Sequence, residues 1–517
     1  MTRATMVRRR GGRAARRAER ASPPAQPPVR AGLEGGRYAP LSEGELRAIH
    51  EAALDILETV GLADPIPSCV AACTARGARL DERGRLCFPR GLVEDVIAAA
   101  ARDFALCGRD PELDVHPRGR RVHFGTAGAA VHIVDARSGR YRDSTLADLY
   151  DAARIVDRLE HLHLFQRPLV CRDIADPFEM ELNTLYACLA GTRKHVGVSF
   201  GHPRQLAAAR EMLYLLAGSE DAFRARPFAS LSCCFVVPPL KFAADACRVL
   251  EAAARAGMPV LLLAAGQAGA TSPAALAGAV AQAVAEVLAG LVYLHAVVPG
   301  APAILGPWPF VSDLRTGAMS GGSGEQALLM AACAQMGRFY DLPTGVASGM
   351  TDSKLCDQQA GYEIGINHAL VANAGANILY EAAGMRASLL GFCLEGLVID
   401  NDAIGAVLRT LKGIEVGPDS LSVEVVREVC VSGPGHYLGH AQTLDLMETA
   451  YLYPVVGDRS SPTEWIERGA TTVVERAIGL TEDILRRHRP RYIERRIDEE
   501  IRRRLPIRLP PVDAGGE

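Results

Sequence analysis

From about residue 160 the chain is built of short runs that are apolar throughout, separated by longer segments with a helical repeat. The runs are HLHLFQRPLVC (161–171), HVGVSF (195–200), FASLSCCFVV (228–237), PVLLLAAG (259–266), PAILGPWP (302–309), PTGVASGM (343–350), ANILYEAAG (376–384) and LLGFCLEGLVID (389–400). A strand with one wet face alternates apolar and polar residues, whereas a run apolar at every position fits a strand buried on both faces, as parallel strands are. The intervening segments, among them PRQLAAAREMLYLLAG and GEQALLMAACAQMGRFYD, have helical spacing. Eight such units over about 250 residues predict a closed parallel (β/α)8 barrel. An open, doubly wound sheet fits the same runs, because their number alone does not prove closure.

The flanks read differently. LSEGELRAIHEAALDILETVG begins with Ser42 and Glu45 in capping-box spacing and ends at Gly61. RGRLCFPRGLVEDVIAAA reads as strand, turn and helix, and VHFGTAGAAVHIVDARSGRYRD as a strand pair turning at Ser138 and Gly139. A second amphipathic helix opens at Thr145 and Asp148. The expected division is a basic, Pro-rich disordered tail (1–37), an N-terminal α/β cap (38–157), the barrel (158–415) and a C-terminal helical extension (416–517).

Composition narrows the classes. The 57 basic and 60 acidic residues leave a net charge of -3, so the whole chain makes no electrostatic case for nucleic acid or an anionic surface. The apolar stretch 275–298 is long enough to span a bilayer but contains Gln282 and Glu286, and is expected to be a buried helix rather than a membrane span. Thirteen cysteines without CxxC pairs predict free thiols in a reducing compartment, the cytoplasm.

In a parallel barrel the chemistry sits at the C-terminal ends of the strands and in the loops that follow. That rule selects Asp352, Ser353, Lys354, Asp357 and Gln358 from TDSKLCDQ, Trp308 and Phe310 after the fifth run, Tyr380 and Glu381 in the seventh, Glu395 in the eighth, and Gln166 and Arg167 in the first. Asp357 reads equally well as a helix N-cap. Glu381 and Glu395 stand in apolar runs, where a carboxylate needs a cation, a proton or good hydrogen bonds; Arg315 or Arg386 would serve as a structural partner. Aromatic faces beside carboxylates attract alkylammonium ions, although aromatics in such loops also simply plug a barrel.

Weaker signals are GAMSGGSGEQ, whose glycines lack phosphate-loop spacing, and His436 with His440, which read as capping or packing residues. Cys233 and Cys234 are strand neighbours on opposite faces and cannot share a metal. No metal site is expected.

Taken together, LSEGELRAIHEAALDILETVG, FGTAGAAVHIVDARSGRYRDSTLADLYDAARI, TDSKLCDQQAGYE, LEGLVIDNDAIGAVLRTLKGIEV and GHYLGHAQTL resemble the trimethylamine:corrinoid methyltransferase family over about residues 38–490. The resemblance implies a TIM barrel and methyl transfer from a methylamine-type donor to cobalt. The corrinoid (cobalamin) would be carried by a separate partner protein, with no cofactor held tightly by this chain. The family's trimethylamine enzymes carry pyrrolysine in the barrel. This sequence has none; TDSKLCDQ is the expected counterpart region and Lys354 the tempting match. That difference bears on the substrate rather than the fold.

A quaternary amine leaves as a neutral amine and needs no general acid, so a member without pyrrolysine suits a quaternary better than a tertiary donor. The candidate catalytic residues are Asp352, Lys354, Asp357, Glu381 and Glu395, and the candidate substrate contacts are Trp308, Phe310, Tyr380, Gln166 and Arg167. Lys354 or Arg167 would pair with a substrate carboxylate. Two alternatives stand beside this: a barrel enzyme of another class with Schiff-base chemistry at Lys354, and a non-catalytic binder of quaternary amines. Self-association is compatible with the sequence.

Overall fold

The computed structural model describes residues 38–511; the Arg-rich start of the chain lies outside the described residues. Eight parallel strands form the barrel: β1 (His123–Phe124), β2 (Leu164–Gln166), β3 (His195–Val198), β4 (Ala229–Cys233), β5 (Val260–Ala264), β6 (Ala303–Pro307), β7 (Gly345–Ala347) and β8 (Ile378–Tyr380). Strands β2 to β6 pair in order. Strand β6 continues to β7 through Leu305 and Thr344, and β7 pairs with β8. Closure rests on β1, which pairs with β8 through Ile378 and His123 and reaches β2 through Gly125 and Leu164. The sheet has no open edge, so the open-sheet reading is set aside.

Seven of the eight apolar runs contain a barrel strand, but the eighth does not. In 389–400 only Gly391–Phe392 is extended, pairing with Met385–Arg386 and with His132–Val134 in a small sheet over the mouth. The rest begins the helix Leu394–Lys412, whose buried Leu397, Val398 and Ile404 follow a helical repeat. The missing stave is His123–Phe124, which the sequence placed in the N-terminal cap. Two residues carry too little pattern to be seen locally.

The outer layer contains α1 (Glu43–Asp55), closed by the Ser42/Glu45 capping box, and α2 (Leu146–Arg158), opened by the Thr145/Asp148 box. Helices α3 (Pro177–Gly191), α4 (Pro203–Ala217), α5 (Ala244–Arg255), α6 (Leu276–Val297), α7 (Gly324–Tyr340), α8 (Gln358–Ala374) and α9 (Leu394–Lys412) follow the later strands. Helix α6 is long and apolar enough to cross a membrane. Its residues from Ala279 to Leu294 are nevertheless buried on every face, between α1 and β6. At the C-terminal end, α10 (Val473–Arg487) packs on α9 and α2, and α11 (Arg495–Arg504) on α4.

Inside the barrel, glycine makes room for large side chains. Gln166 of β2 lies over its register partner Gly197 of β3, where a Cβ would sit 1.6 Å from the Gln166 Oε1. Gly197→Ala is therefore expected to cost about 1–3 kcal/mol in chemical denaturation. Combining it with Gln166→Ala should recover part of that loss, so that a double-mutant cycle shows coupling above about 0.5 kcal/mol; additive losses would mean that the two side chains do not compete for this space.

Candidate active site at the barrel mouth

Glu381 follows the last residue of β8 and has φ = 58°, the left-handed region that a non-glycine side chain adopts at a cost of about 1–2 kcal/mol. Its neighbours hold it there. The Ser348 N–H donates to the Tyr380 carbonyl at 2.8 Å, and the Ala382 N–H donates to the Gly125 carbonyl at 3.0 Å. His368 of α8, wholly buried, donates from Nε2 to the Ala382 carbonyl at 2.9 Å and receives the Ser348 hydroxyl at Nδ1 at 2.7 Å. Burial drives His368 down to about 4, so it stays neutral and suits that pattern.

The carboxyl held this way is 3% exposed, and its buried Oε2 has no hydrogen-bond partner. Burial alone raises Glu381 to about 8. A carboxylate without a counter-ion in such surroundings is costly, so near neutral pH the group keeps its proton unless a cation arrives.

Across the mouth, Arg167 follows β2. Burial lowers it from the ordinary arginine value, while Glu181 of α3 is among the groups opposing that shift. Among the described residues its guanidinium makes one hydrogen bond, to the Leu169 carbonyl at 3.4 Å, which is long and leaves most of the side-chain donors unused. Glu181 accepts the Gly201 N–H at 2.9 Å through Oε1, its buried Oε2 is unpartnered, and burial lifts it to about 7. Cys234, directly after β4, is exposed while Cys233 is buried; desolvation by the surrounding barrel wall raises its thiol, with Arg167 and Glu381 acting on it in opposite directions.

The aromatics are less open than the sequence implied. Trp308, Phe310 and Tyr380 are 3%, 6% and 1% exposed. The Trp308 ring lies 5.7 Å from Tyr380 and 6.2 Å from Phe310, and its Nε1–H donates to the Gly345 carbonyl at 2.8 Å. They form a packed floor behind Glu381 rather than an exposed cage.

A cleft of about 690 Å3 among Arg102, Arg118, Arg121, Arg338 and Pro343 lies at the opposite end, where β1 and β7 begin. Barrel chemistry belongs to the other face.

Comparison with known proteins follows the same lines. A profile of the trimethylamine methyltransferase family matches residues 9–506. The trimethylamine methyltransferase MttB of Desulfitobacterium hafniense (strain DSM 10664 / DCB-2) is 32% identical over 471 residues, covering 91% of this chain and 94% of that protein. The chain belongs to the trimethylamine methyltransferase family. A glycine betaine methyltransferase of Desulfitobacterium hafniense (strain Y51) is 29% identical over 468 residues, with 90% and 96% covered. The crystal structure of the Methanosarcina barkeri monomethylamine methyltransferase superposes with a TM-score of 0.50 at 13% identity, covering 88% of this chain and 90% of that one, and supports the barrel fold.

In this methyltransferase the TDSKLCDQ loop is largely architecture. Asp352 accepts the Ser320 hydroxyl and the Gly321 N–H, both at 2.7 Å, and the Ser388 hydroxyl, tying together the loops after β6, β7 and β8. The glycine-rich segment thus spends these donors on a carboxylate of the same chain. Asp357 caps α8, accepting the Ala360 N–H at 3.0 Å and the Ser353 hydroxyl at 2.7 Å. Lys354 is exposed, with Nζ donating to the Asp352 carbonyl at 2.7 Å, so it lacks the burial that makes a lysine nucleophilic.

Glu395 stands in the first turn of α9 beside Cys393, not at a strand end. Arg386, one of the partners considered for these carboxylates, is paired with Asp400, and Arg315 with Asp313. His440 caps the helix Ala441–Thr449 and His436 lies outside it, so the two share no helical face. Sequence reasoning missed Cys234, Glu181 and His368; Glu181 and His368 stand within helices, and only the fold turns them toward the mouth.

A carboxyl raised to about 8 keeps in the fold a proton that the unfolded chain loses near 4.5. Stability therefore falls as pH rises between those values. Glu381→Gln should melt near the wild-type temperature at pH 5 and about 2–4 °C above it at pH 8.5; a melting difference independent of pH would show that the carboxyl titrates normally.

Proposed function

We propose that this methyltransferase takes a methyl group from a quaternary ammonium compound that also bears a carboxylate, a betaine, and delivers it to the cobalt of a corrinoid carried by a separate protein. The observation that carries this reading is Glu381: a strained, buried and unpartnered carboxyl at the mouth, matched to a cation. The names of the relatives, trimethylamine and glycine betaine methyltransferases, support a methylated amine as donor.

Each group then has a task. Glu381 loses its proton to solvent as the fixed positive charge arrives and becomes the counter-ion. Trp308, Phe310 and Tyr380 supply a dry floor that strengthens that attraction. Arg167, with unused donors, takes the substrate carboxylate, and Gln166 shares the same wall. In the transfer the methyl carbon forms a bond to Co(I) with the metal's electron pair, while the C–N pair returns to nitrogen. A neutral tertiary amine leaves, so no acid is required. This chain holds the donor and excludes water; the corrinoid is the acceptor substrate. The exposed Lys354 gives the Schiff-base alternative no support.

The test is a visible-spectrum assay with reduced cobalamin, or with a corrinoid protein from the same source, against betaines, carboxylate-free quaternary amines and tertiary amines. Methylcobalamin is expected with a betaine; transfer only from tertiary amines, or none, would overturn the reading. Arg167→Ala should weaken a betaine roughly 10- to 150-fold and leave a carboxylate-free quaternary amine nearly unchanged.

A quaternary amine has no proton to lose, so any pH dependence of its binding belongs to the enzyme. Its Kd should fall roughly tenfold per unit between pH 6 and 7.5 and level off above the Glu381 value of about 8. Glu381→Gln should flatten that profile in calorimetric titrations; a flat wild-type profile would remove Glu381 as the counter-charge.

A further inference from the structure

Two cysteines on different mouth loops stand in contact away from Glu381. Cys356 lies within the polar stretch after β7, and Cys393 precedes α9; their sulfurs are 3.5 Å apart. The Arg386 Nη2 donates to the Cys356 Sγ at 3.3 Å, while Nη1 of the same guanidinium donates to Asp400 at 3.2 Å. The Cys393 thiol donates to the Glu395 Oε2 at 3.3 Å. Cys356 is partly exposed and Cys393 fully buried. A cavity of about 430 Å3, lined by Cys356, Gln358, Arg386, Asp400 and Thr472, gives small molecules a way to the outer thiol.

This is the arrangement of an attacking and a resolving thiol: one accessible sulfur beside a fixed cation, with a second sulfur behind it next to a carboxylate. The neighbouring Cys393 thiol and the Arg386 charge draw Cys356 down to about 7 against its burial, while Cys393 is pushed well above the ordinary thiol value. A second thiol pair, Cys69 and Cys73, offers the contrast: both are wholly buried, with nothing accessible to react first.

We propose that Cys356 is a modification site for low-molecular-weight disulfides and that Cys393 resolves the adduct into an internal Cys356–Cys393 disulfide. In the first step the Cys356 thiolate attacks one sulfur of the reagent. The reagent's S–S bond breaks, a mixed disulfide forms, and the departing thiolate takes up the proton that Cys356 gave up. In the second, Cys393 passes its proton to Glu395 and attacks the Cys356 sulfur. The S–S bond to the adduct breaks, and the second reagent thiolate leaves with that proton. The two protein thiols are oxidised by two electrons, and one disulfide is reduced to two thiols.

The product would join two loops that already share backbone hydrogen bonds. The Ala387 N–H donates to the Ser353 carbonyl at 2.8 Å and the Ser388 N–H to the Thr351 carbonyl at 2.9 Å. Ala387, Ser388 and Leu389 all have positive φ, so the loop after β8 is held in a conformation that depends on these contacts. An added covalent link would fix the rim near Asp352 without touching Glu381 or Arg167.

The experiment incubates the full-length protein with oxidised glutathione and maps the peptides by mass spectrometry under non-reducing conditions. The expected result is a linked pair of peptides carrying Cys356 and Cys393, 2 Da lighter than the two thiol peptides. Cys393→Ser should stop at a glutathione adduct on Cys356, and Cys356→Ser should leave Cys393 unmodified. Glutathione found on the exposed Cys234 or Cys430 with Cys356 unreacted would overturn the proposal. So would a wild-type adduct on Cys356 that never advances to the internal disulfide.

Discussion

The arrangement of the mouth depends on closure of the barrel by two residues, His123 and Phe124, between β8 and β2. Closure brings the ends of β2, β4 and β8 to a common rim, so that Arg167, Cys234 and Glu381 share one electrostatic environment although they are far apart in the chain. It also makes Glu381 unusual. The Ala382 N–H is anchored to the Gly125 carbonyl, directly after β1, so the stave that shuts the barrel also holds the left-handed turn that aims the carboxyl inward.

A buried carboxyl with an unsatisfied oxygen is normally selected against unless it has work to do. Here the cost is borne by a rigid surround: buried His368 and Ser348 on one side, the packed aromatic floor on the other. The fold thereby keeps a buried acid that burial raises to about 8, the group on which the proposed recognition of a cation rests. A preorganised charge in a dry site acts more strongly than one in water, because little reorganisation remains when the ligand enters.

The polar stretch after β7 plays the complementary role. Ser353, Asp352 and Asp357 spend their hydrogen bonds on neighbouring loops and on the start of α8, and Glu363 within α8 accepts the Thr351 hydroxyl and, at 2.8 Å, the Asp352 N–H. What reads in the sequence as concentrated chemistry is mostly a clamp that sets the height and angle of the rim.

The sequence by itself determined the barrel class, seven of its strands and the capping boxes at Ser42 and Thr145, because parallel strands buried on both faces leave uninterrupted apolar runs and helix N-termini need side-chain acceptors. It also marked Glu381, Tyr380, Trp308 and Arg167, since charge and aromatic bulk at the ends of apolar runs stand out in one dimension. Tertiary structure alone decided that β1 is two residues long, that 389–400 is largely helix, and that Asp352 ties neighbouring loops together while Asp357 and Lys354 bond within their own. It alone turned Glu181 and His368 toward the mouth and set Cys356 against Cys393. The physical reason is the same in each case: a hydrogen-bond partner or a neighbouring charge is a relation between distant segments, and local pattern records what a residue is made of but not what the closed barrel puts beside it.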